Sequence, residues 1–293
     1  MDLTAFAEEV GTEGPVVAVG GRTQWDVGGP VDDAARQVRA PAGIVSHQPE
    51  EMIVRVGAGT TVADLDAAVA ERGQVVALPD WPGATVGGVL AVGRSGLRRL
   101  GWGPVRDTLL EARYVSAEGR LVKAGGPVVK NVTGFDLCRL LVGSLGTIGL
   151  IAEVVLRVRP RPMVRRWLRG EVDPFALRQR LHRPSSILWD GTTTWLLLDG
   201  HPADVDAQTT AAGSACTEVE GPPPLPTAGR ESIRPSAVRD LTGSFVAEVG
   251  VGVVHRPHAV EPAPPHPSTL ELQRRIKTLF DPTGRLNPGR SVA

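Results

Sequence analysis

A chain of 293 residues has the length of roughly two ordinary domains, each able to bury a core, which excludes a small stapled scaffold. Its 32 basic and 32 acidic residues cancel, so no whole-molecule field selects nucleic acid, an anionic membrane or an acidic substrate, and charge recognition must be local. The only cysteines, Cys138 and Cys216, lie far apart, which excludes an iron–sulfur cluster or multi-cysteine zinc site built within this chain and makes a reducing cytoplasm the expected setting.

The opening MDLTAFAEEVGTEG is acidic and lacks the basic and apolar regions of a signal peptide. No run approaches ~20 apolar residues, so membrane contact is expected only through a partner. PVVAVGGRT (15–23) reads as a short buried strand running into a glycine turn, and MIVRVGAG (52–59) repeats the pattern. TTVADLDAAVAERG reads as a helix. Thr61 and Asp64 have capping-box spacing, Val62, Leu65 and Val69 share a face, and Gly73 stands as the C-terminal cap. QVVALPDWPGATVGG returns as a strand, and LLEARYVSAEGRLVKAGG as a hairpin turned at Ala117, Glu118 and Gly119. LIAEVVLRVRPRP (150–162) is a strand whose only acidic residue is Glu153, closing an α+β domain near Arg159.

Beyond it, MVRRWLRG reads as a strand, DPFALRQRLH as a helix capped near Asp173, SILWD and TTWLLLDG as strands, HPADVDAQTTAAG as a helix and ACTEVE as a strand. That βαββαβ order is the split ferredoxin-like pattern. GPPPLPTAG (221–229) and RPHAVEPAPPHP (256–267) are stiff proline-rich connectors, with SFVAEVGVGVVH between them as one more strand. The chain finishes with a helix, STLELQRRIKTLF, and a turn-rich tail, DPTGRLNPGR. The expected division is 1–159, a small ferredoxin-like domain at 160–256, and a linker, helix and tail at 257–293.

Four glycine-rich loops carry the chemistry. Gly20 and Gly21 end a strand and precede Arg22 and Thr23, a setting in which backbone amides form an anion-binding nest. GAGTTV (57–62) lacks the third glycine of a dinucleotide fingerprint, and the surrounding order is not a repeated βαβ, which argues against a Rossmann fold. ATVGG (84–88) and GSLGTIG (143–149) complete the set. A large, flat, phosphate-bearing ligand explains four such loops in one domain, because glycine removes the Cβ where backbone must touch it.

VAVGGRT, IVRVGAGTTVADLDAAVAERG, GATVGG, GPVRD, KNVTGFDLCRLLVGSLGTIGLIAEVVLRV and FDPTGRLNPGR stand in the order seen in FAD-binding proteins of the vanillyl-alcohol oxidase (PCMH) type. The resemblance covers residues 15–160 and 270–290. Through KNVTGFDL and GRSGLRR it is nearest the E-subunit type of bacterial glycolate oxidases. It implies a two-lobed α+β FAD domain, a small cap and a C-terminal segment returning to the FAD domain. Gly20, Gly21, Arg22 and Thr23 would cradle the pyrophosphate; Thr85, Gly87 and Gly88 would let backbone reach the phosphates and isoalloxazine; Gly146, Thr147, Gly149 and Ile151 would line the cofactor. The implied activity is oxidation of 2-hydroxy acids such as glycolate or D-lactate, with a homologous flavoprotein subunit and an iron–sulfur subunit as partners. Two departures qualify it. The Gly20 loop has no histidine, so FAD is expected to be held noncovalently, and the strand that usually opens the first lobe is missing or replaced.

Catalytic relatives carry a histidine pair in a G-D-G-N-x-H setting, whereas this chain reads VGVGVVHRPH, leaving His255 as the candidate catalytic residue and His258 beyond it. Both also suit a plain strand end, and no metal site is expected. Arg94, Arg98 and Arg99 suit an FAD phosphate, a substrate carboxylate or a partner's acidic patch equally. The arginines from 157 to 169 around Trp167 read as a solvated face or subunit contact rather than a nucleic-acid surface. Lys130 and Asp136 either bracket the cofactor or mark a helix start. Two other functional readings stand beside the oxidase: a noncatalytic assembly subunit with structural or absent FAD, and a stand-alone flavin oxidase of another alcohol.

Overall fold

The computed structural model describes residues 1–79, 81–126, 136–261 and 264–291. Its contacts divide the chain into two compact units, residues 1–96, 104–160 and 264–293 in the first and 97–103 and 161–263 in the second.

The first unit opens with a helix that the sequence reading did not anticipate. In α1 (Leu3–Val10), Asp2 caps the amides of Thr4 and Ala5, and Leu3, Phe6 and Val10 form the buried stripe. β1 (Val16–Ala18) then pairs in parallel with β2 (Arg36–Val38). β3 (Ile44–Gln48) and β4 (Ile53–Gly57) lead to α2 (Val62–Ala70), where Thr61 accepts the amide of Asp64 at 3.0 Å, as its capping spacing foretold. After β5 (Gln74–Val76) comes α3 (Val86–Val92); past residues 97–103, which carry the short α4 (Arg99–Trp102) and belong to the second unit, come β6 (Leu109–Val115) and β7 (Leu121–Gly125), the expected hairpin. α5 (Leu137–Leu141) precedes β8 (Leu150–Pro160). The sheet runs β3-β4-β8-β6-β7, antiparallel throughout, with β5 paired to the end of β8.

Strand alternation gives that sheet two different faces. Val54, Val56, Val154 and Leu156 point to the core formed with Leu65, Val69, Leu90 and Leu141 of the helices. On the other face Val115, Leu150 and Ala152 meet α1, Val16 and Val38, and beside them stands a charge network. Arg55 Nη1 lies 2.9 Å from both Glu111 Oε1 and Glu153 Oε1, Arg113 lies 3.6 Å from Glu153, and Lys123 Nζ lies 3.1 Å from Glu111 Oε2. Glu153 is thus an acidic residue buried inside a strand because two arginines on neighbouring strands neutralise it.

In the second unit β9 (Val164–Gly170), α6 (Pro174–Arg180), β10 (Ser186–Trp189), β11 (Thr194–Gly200), α7 (Pro202–Ala212) and β12 (Thr217–Val219) realise the βαββαβ order. Their strands lie as β12-β9-β11-β10, the fourth-first-third-second order of a split ferredoxin-like sheet. Both helices begin with a proline in their first turn, where its missing amide costs nothing. The stretch read as one further strand is a hairpin, β14 (Val246–Glu248) and β15 (Val253–Arg256). Gly250 and Gly252, both at φ 83°, turn the chain there, and the unbroken apolar alternation around them concealed the turn. β13 (Gly229–Ser232), also unanticipated, pairs with β15 and completes a sheet of seven strands. α6 and α7 cover the face that carries Ile187, Leu196, Leu198, Ala247 and Val254.

The chain closes in the first unit with α8 (Pro267–Phe280), whose Ile276 and Phe280 pack on the main core. The tail then lays Leu286 beside Val16 in a parallel bridge. Arg285 anchors it, donating to the carbonyls of Val10, Gly11, Glu13, Gly14 and Ala117 at 2.7–3.1 Å.

Candidate functional site

Where β1 ends, Val19 still donates to Val38, but the next four amides, of Gly20, Gly21, Arg22 and Thr23, donate to no acceptor among the described residues. Arg22 takes the left-handed conformation, φ 56°, and its guanidinium donates to Gln37 at 2.8 Å. Consecutive free amides around a left-handed residue form a concave cluster of partial positive charge, suited to an anion. The ATVGG stretch, read as a loop, is instead the start of α3. Thr85 is its N-cap and accepts the amide of Gly88 at 3.3 Å, so Gly87 and Gly88 lie in the first helical turn. The third segment is the turn before β8, where Leu145 and Gly146 have φ of 53° and 71°.

The glycines of these segments answer to different neighbours. A Cβ on Gly21 would lie 1.7 Å from the Gly83 carbonyl, on Gly20 2.3 Å from Thr85 Oγ1, on Gly87 2.9 Å from the Ala58 side chain, on Gly146 2.5 Å from Asn287 Nδ2 and on Gly149 2.4 Å from the Tyr114 ring. The protein's own packing requires those five. Gly88 differs: its Cβ would meet only Thr85 Oγ1, at 3.0 Å.

Gly88 faces two adjoining clefts of about 620 and 480 Å³ that also share Ala18, Gly20, Thr85, Ala91 and Asn287. The larger is walled by Gly21, Arg22, Thr23, Trp25 and Arg290, the smaller by Gly87, Gly146, Gly149, Leu150 and Ile151. Thr147 lines neither. Its hydroxyl donates to Ser144 and its carbonyl accepts from Lys277, both at 2.7 Å, so it fastens the turn.

The larger cleft is electropositive. Arg22 and Arg290 lie over the Trp25 ring at 4.9 and 4.8 Å, and Arg94 reaches Gln24 at 3.4 Å. Desolvation pulls the pKa of Arg94 and of Arg290 down, only partly opposed by the charge of Asp26. Cations held at a desolvation cost beside a cluster of free amides match a diphosphate, and the uncharged smaller cleft matches a flat ring system.

Sequence reasoning missed the tail's share. Asn287, itself at φ 44°, accepts the Ala18 amide at 3.0 Å and donates to the Leu145 carbonyl, tying β1 to the turn before β8. The L-N-P-G pattern was its signal, since asparagine tolerates that conformation.

The remaining candidates separate. Arg98 belongs to the second unit, donating to Asp199 at 2.8 Å and lying 5.0 Å over Trp102. Arg166 is held by Asp206, Thr209 and Glu218, and Arg169 lies over Trp195. Asp136 caps α5 by accepting the Arg139 amide at 3.1 Å, whereas Lys130 and most of KNVTGFDL lie outside the described residues. His255, on β15, pairs with Glu248 at 3.1 Å; His258 is exposed. Among the described residues no three potential metal ligands gather.

Comparison with known proteins bears on these features directly. Residues 3–125 match the model of an FAD binding domain and residues 233–291 that of the C-terminal domain of FAD linked oxidases, together more than half of the chain. The glycolate oxidase subunit GlcE of Escherichia coli (strain K12) is 33% identical over 217 residues, 70% of this chain and 61% of the relative. D-lactate dehydrogenase of Archaeoglobus fulgidus is 40% identical over 108 residues, and glycolate oxidase subunit GlcD of Bacillus subtilis (strain 168) 33% over 129. Those matches take in 36% and 43% of this chain but only 24% and 27% of the relatives. Among solved structures, alkyldihydroxyacetonephosphate synthase superposes with a TM-score of 0.69 over 98% of this chain and 73% of its own, at 13% identity, which is a likeness of fold.

Proposed function

Because this chain belongs to the FAD-linked oxidases, we propose that it is a flavoprotein subunit of a glycolate oxidase-like complex that oxidises small 2-hydroxy acids. The observation that carries this reading is the run of four free amides at Gly20–Thr23, opposite Gly88, which lines both clefts and whose missing side chain the protein's own packing does not require. Those amides, with Arg22 and Arg290, hold the diphosphate of FAD; Gly87, Gly149 and Ile151 line the uncharged remainder. With no histidine in the Gly20 loop, attachment is noncovalent.

Bound FAD supplies a two-electron acceptor for the hydride leaving C2 of the acid. The protein must take the hydroxyl proton, for which His255 is the candidate, and hold the carboxylate with a fixed cation. The acid leaves as the 2-oxo acid. A chain with two cysteines carries no cluster of its own, so the electrons pass to a partner, an iron–sulfur subunit in this reading, beside a homologous flavoprotein subunit.

The test is anaerobic mixing of the FAD-loaded chain with glycolate or D-lactate while flavin absorbance is followed. We expect slow bleaching by the isolated chain and turnover with an artificial acceptor once both partner subunits are added. The weakened histidine site, VGVGVVHRPH where catalytic relatives carry a histidine pair, favours a second reading, a noncatalytic assembly subunit. Unchanged absorbance in the isolated chain, together with full activity of a complex carrying His255→Asn, would establish that reading instead.

A further inference from the structure

The sheet of the second unit buries a carboxylate that packing does not require. Glu248 ends β14, with Leu188 opposite it on β10 and Val253 opposite it on β15, and its side chain is 5% exposed. Its one hydrogen-bond partner among the described residues is His255, whose Nε2 lies 3.1 Å from Glu248 Oε1. In the next row of the sheet, His255 stands between Val246 on β14 and Arg230 on β13. Residues opposite one another in antiparallel strands share a face, so all of these side chains lie opposite the face covered by α6 and α7. A leucine would fill the position of Glu248 at no electrostatic cost, yet a buried charge is kept there for a single, partly exposed imidazole.

We propose that Glu248 is a positioning residue that fixes His255 in its Nε2–H tautomer and so keeps Nδ1 as the free proton-accepting atom. A carboxylate accepts and does not donate, so the proton of this hydrogen bond sits on Nε2. The lone pair of the neutral ring then belongs to Nδ1, which bonds to no described residue. This rests on the reading of His255 as the group that takes the hydroxyl proton. The accounting of that step is simple: the substrate O–H bond breaks, an Nδ1–H bond forms, and Glu248 accepts the Nε2 proton throughout without receiving it.

Tautomers are read directly by long-range proton–nitrogen correlation spectra of the full chain with ¹⁵N-labelled histidine, recorded where the ring is neutral, with His255→Asn identifying the signals. The wild type should show a protonated Nε2 and an unprotonated Nδ1. Glu248→Gln should preserve that pattern, since its amide oxygen still accepts, and Glu248→Leu should give a mixture of tautomers. An Nδ1-protonated ring in the wild type, or an unchanged spectrum in the leucine variant, overturns the proposal. In the complex, Glu248→Leu should slow flavin reduction about 10- to 100-fold with the glutamine variant close to wild type, and FAD affinity should be the same in all three. If His255→Asn reduces flavin as fast as the wild type, the base reading falls, while the spectra still decide what Glu248 does to the ring.

Discussion

Gly88 and Gly149 stand on walls of the same cleft, yet substitution should harm them differently. At Gly149 a methyl group would enter the Tyr114 ring, and overpacking of that kind costs about 1–3 kcal/mol. Gly149→Ala should therefore lower the melting temperature. At Gly88 only the Thr85 hydroxyl is near, so Gly88→Asp should fold and melt normally but lose FAD retention, its side chain and charge lying where backbone meets diphosphate. Flavin absorbance of the purified variants, read beside their melting curves, checks both; a yellow Gly88→Asp protein would remove the phosphates from α3. Arg285 supplies a second contrast. It is 5% exposed and satisfies five carbonyls, so Arg285→Ala should cost about 2–4 kcal/mol in a denaturant titration, leaving acceptors without a donor. The sequence marked Gly20, Gly21 and Gly88 alike, because glycine is the same letter whether the protein or a ligand fills the space beside it. Only the positions of Gly83, Ala58 and Tyr114 separate the two causes.

Among the elements, the sheet that carries Arg55, Glu111, Arg113, Lys123 and Glu153 makes stability depend on pH. Burial by itself would push the Glu111 carboxyl up, but hydrogen bonds from Arg55 and Lys123, with their charges, outweigh it and hold the group below its ordinary range. A carboxyl with a depressed folded-state pKa contributes fully above its unfolded value of about 4.3 and loses that contribution as pH falls through the lower folded value. Acid unfolding of the wild type should steepen in that window, and Glu111→Gln, though less stable at neutral pH, should lose less of its remaining stability there. Equal acid sensitivity of the two proteins would show that the network is not the cause. Elements with a strong local signal were legible: α2 through Thr61 and Asp64, α6 through Asp173 and Pro174, and the β6–β7 turn through Gly119. α1 has an equally good cap in Asp2, but its acidic letters were weighed only as a targeting segment. β2 and β3 are short and largely exposed, which leaves them no apolar alternation to read. α3 was hidden by its composition, since glycines in the first helical turn look like loop.

For the molecule as a whole, the decisive fact is that the cleft has no local existence in the sequence. Its walls come from the loop after β1, the start of α3, the turn before β8 and the tail after α8. Asn287→Ala, which cuts the link between β1 and the turn before β8, should weaken FAD binding at least about tenfold, the effect of roughly one lost hydrogen bond to each side. Fluorescence titration of the apoprotein with FAD measures it, and unchanged affinity would exclude the tail from the site. Noncovalent attachment makes a further expectation: acid or organic solvent should strip all the flavin, and colour left on the precipitated chain would refute it. The bond between Ala18 and Asn287 joins residues 269 positions apart. During synthesis the first wall of the cleft is therefore made long before the last: β1 can pair with β2 early, but the amides of Val16 and Ala18 wait for their acceptors on Arg285 and Asn287. If the tail is the last wall of the FAD site, as proposed, cofactor capture follows synthesis of the tail, and a polypeptide stalled before Asn287 should hold flavin more weakly than the full chain.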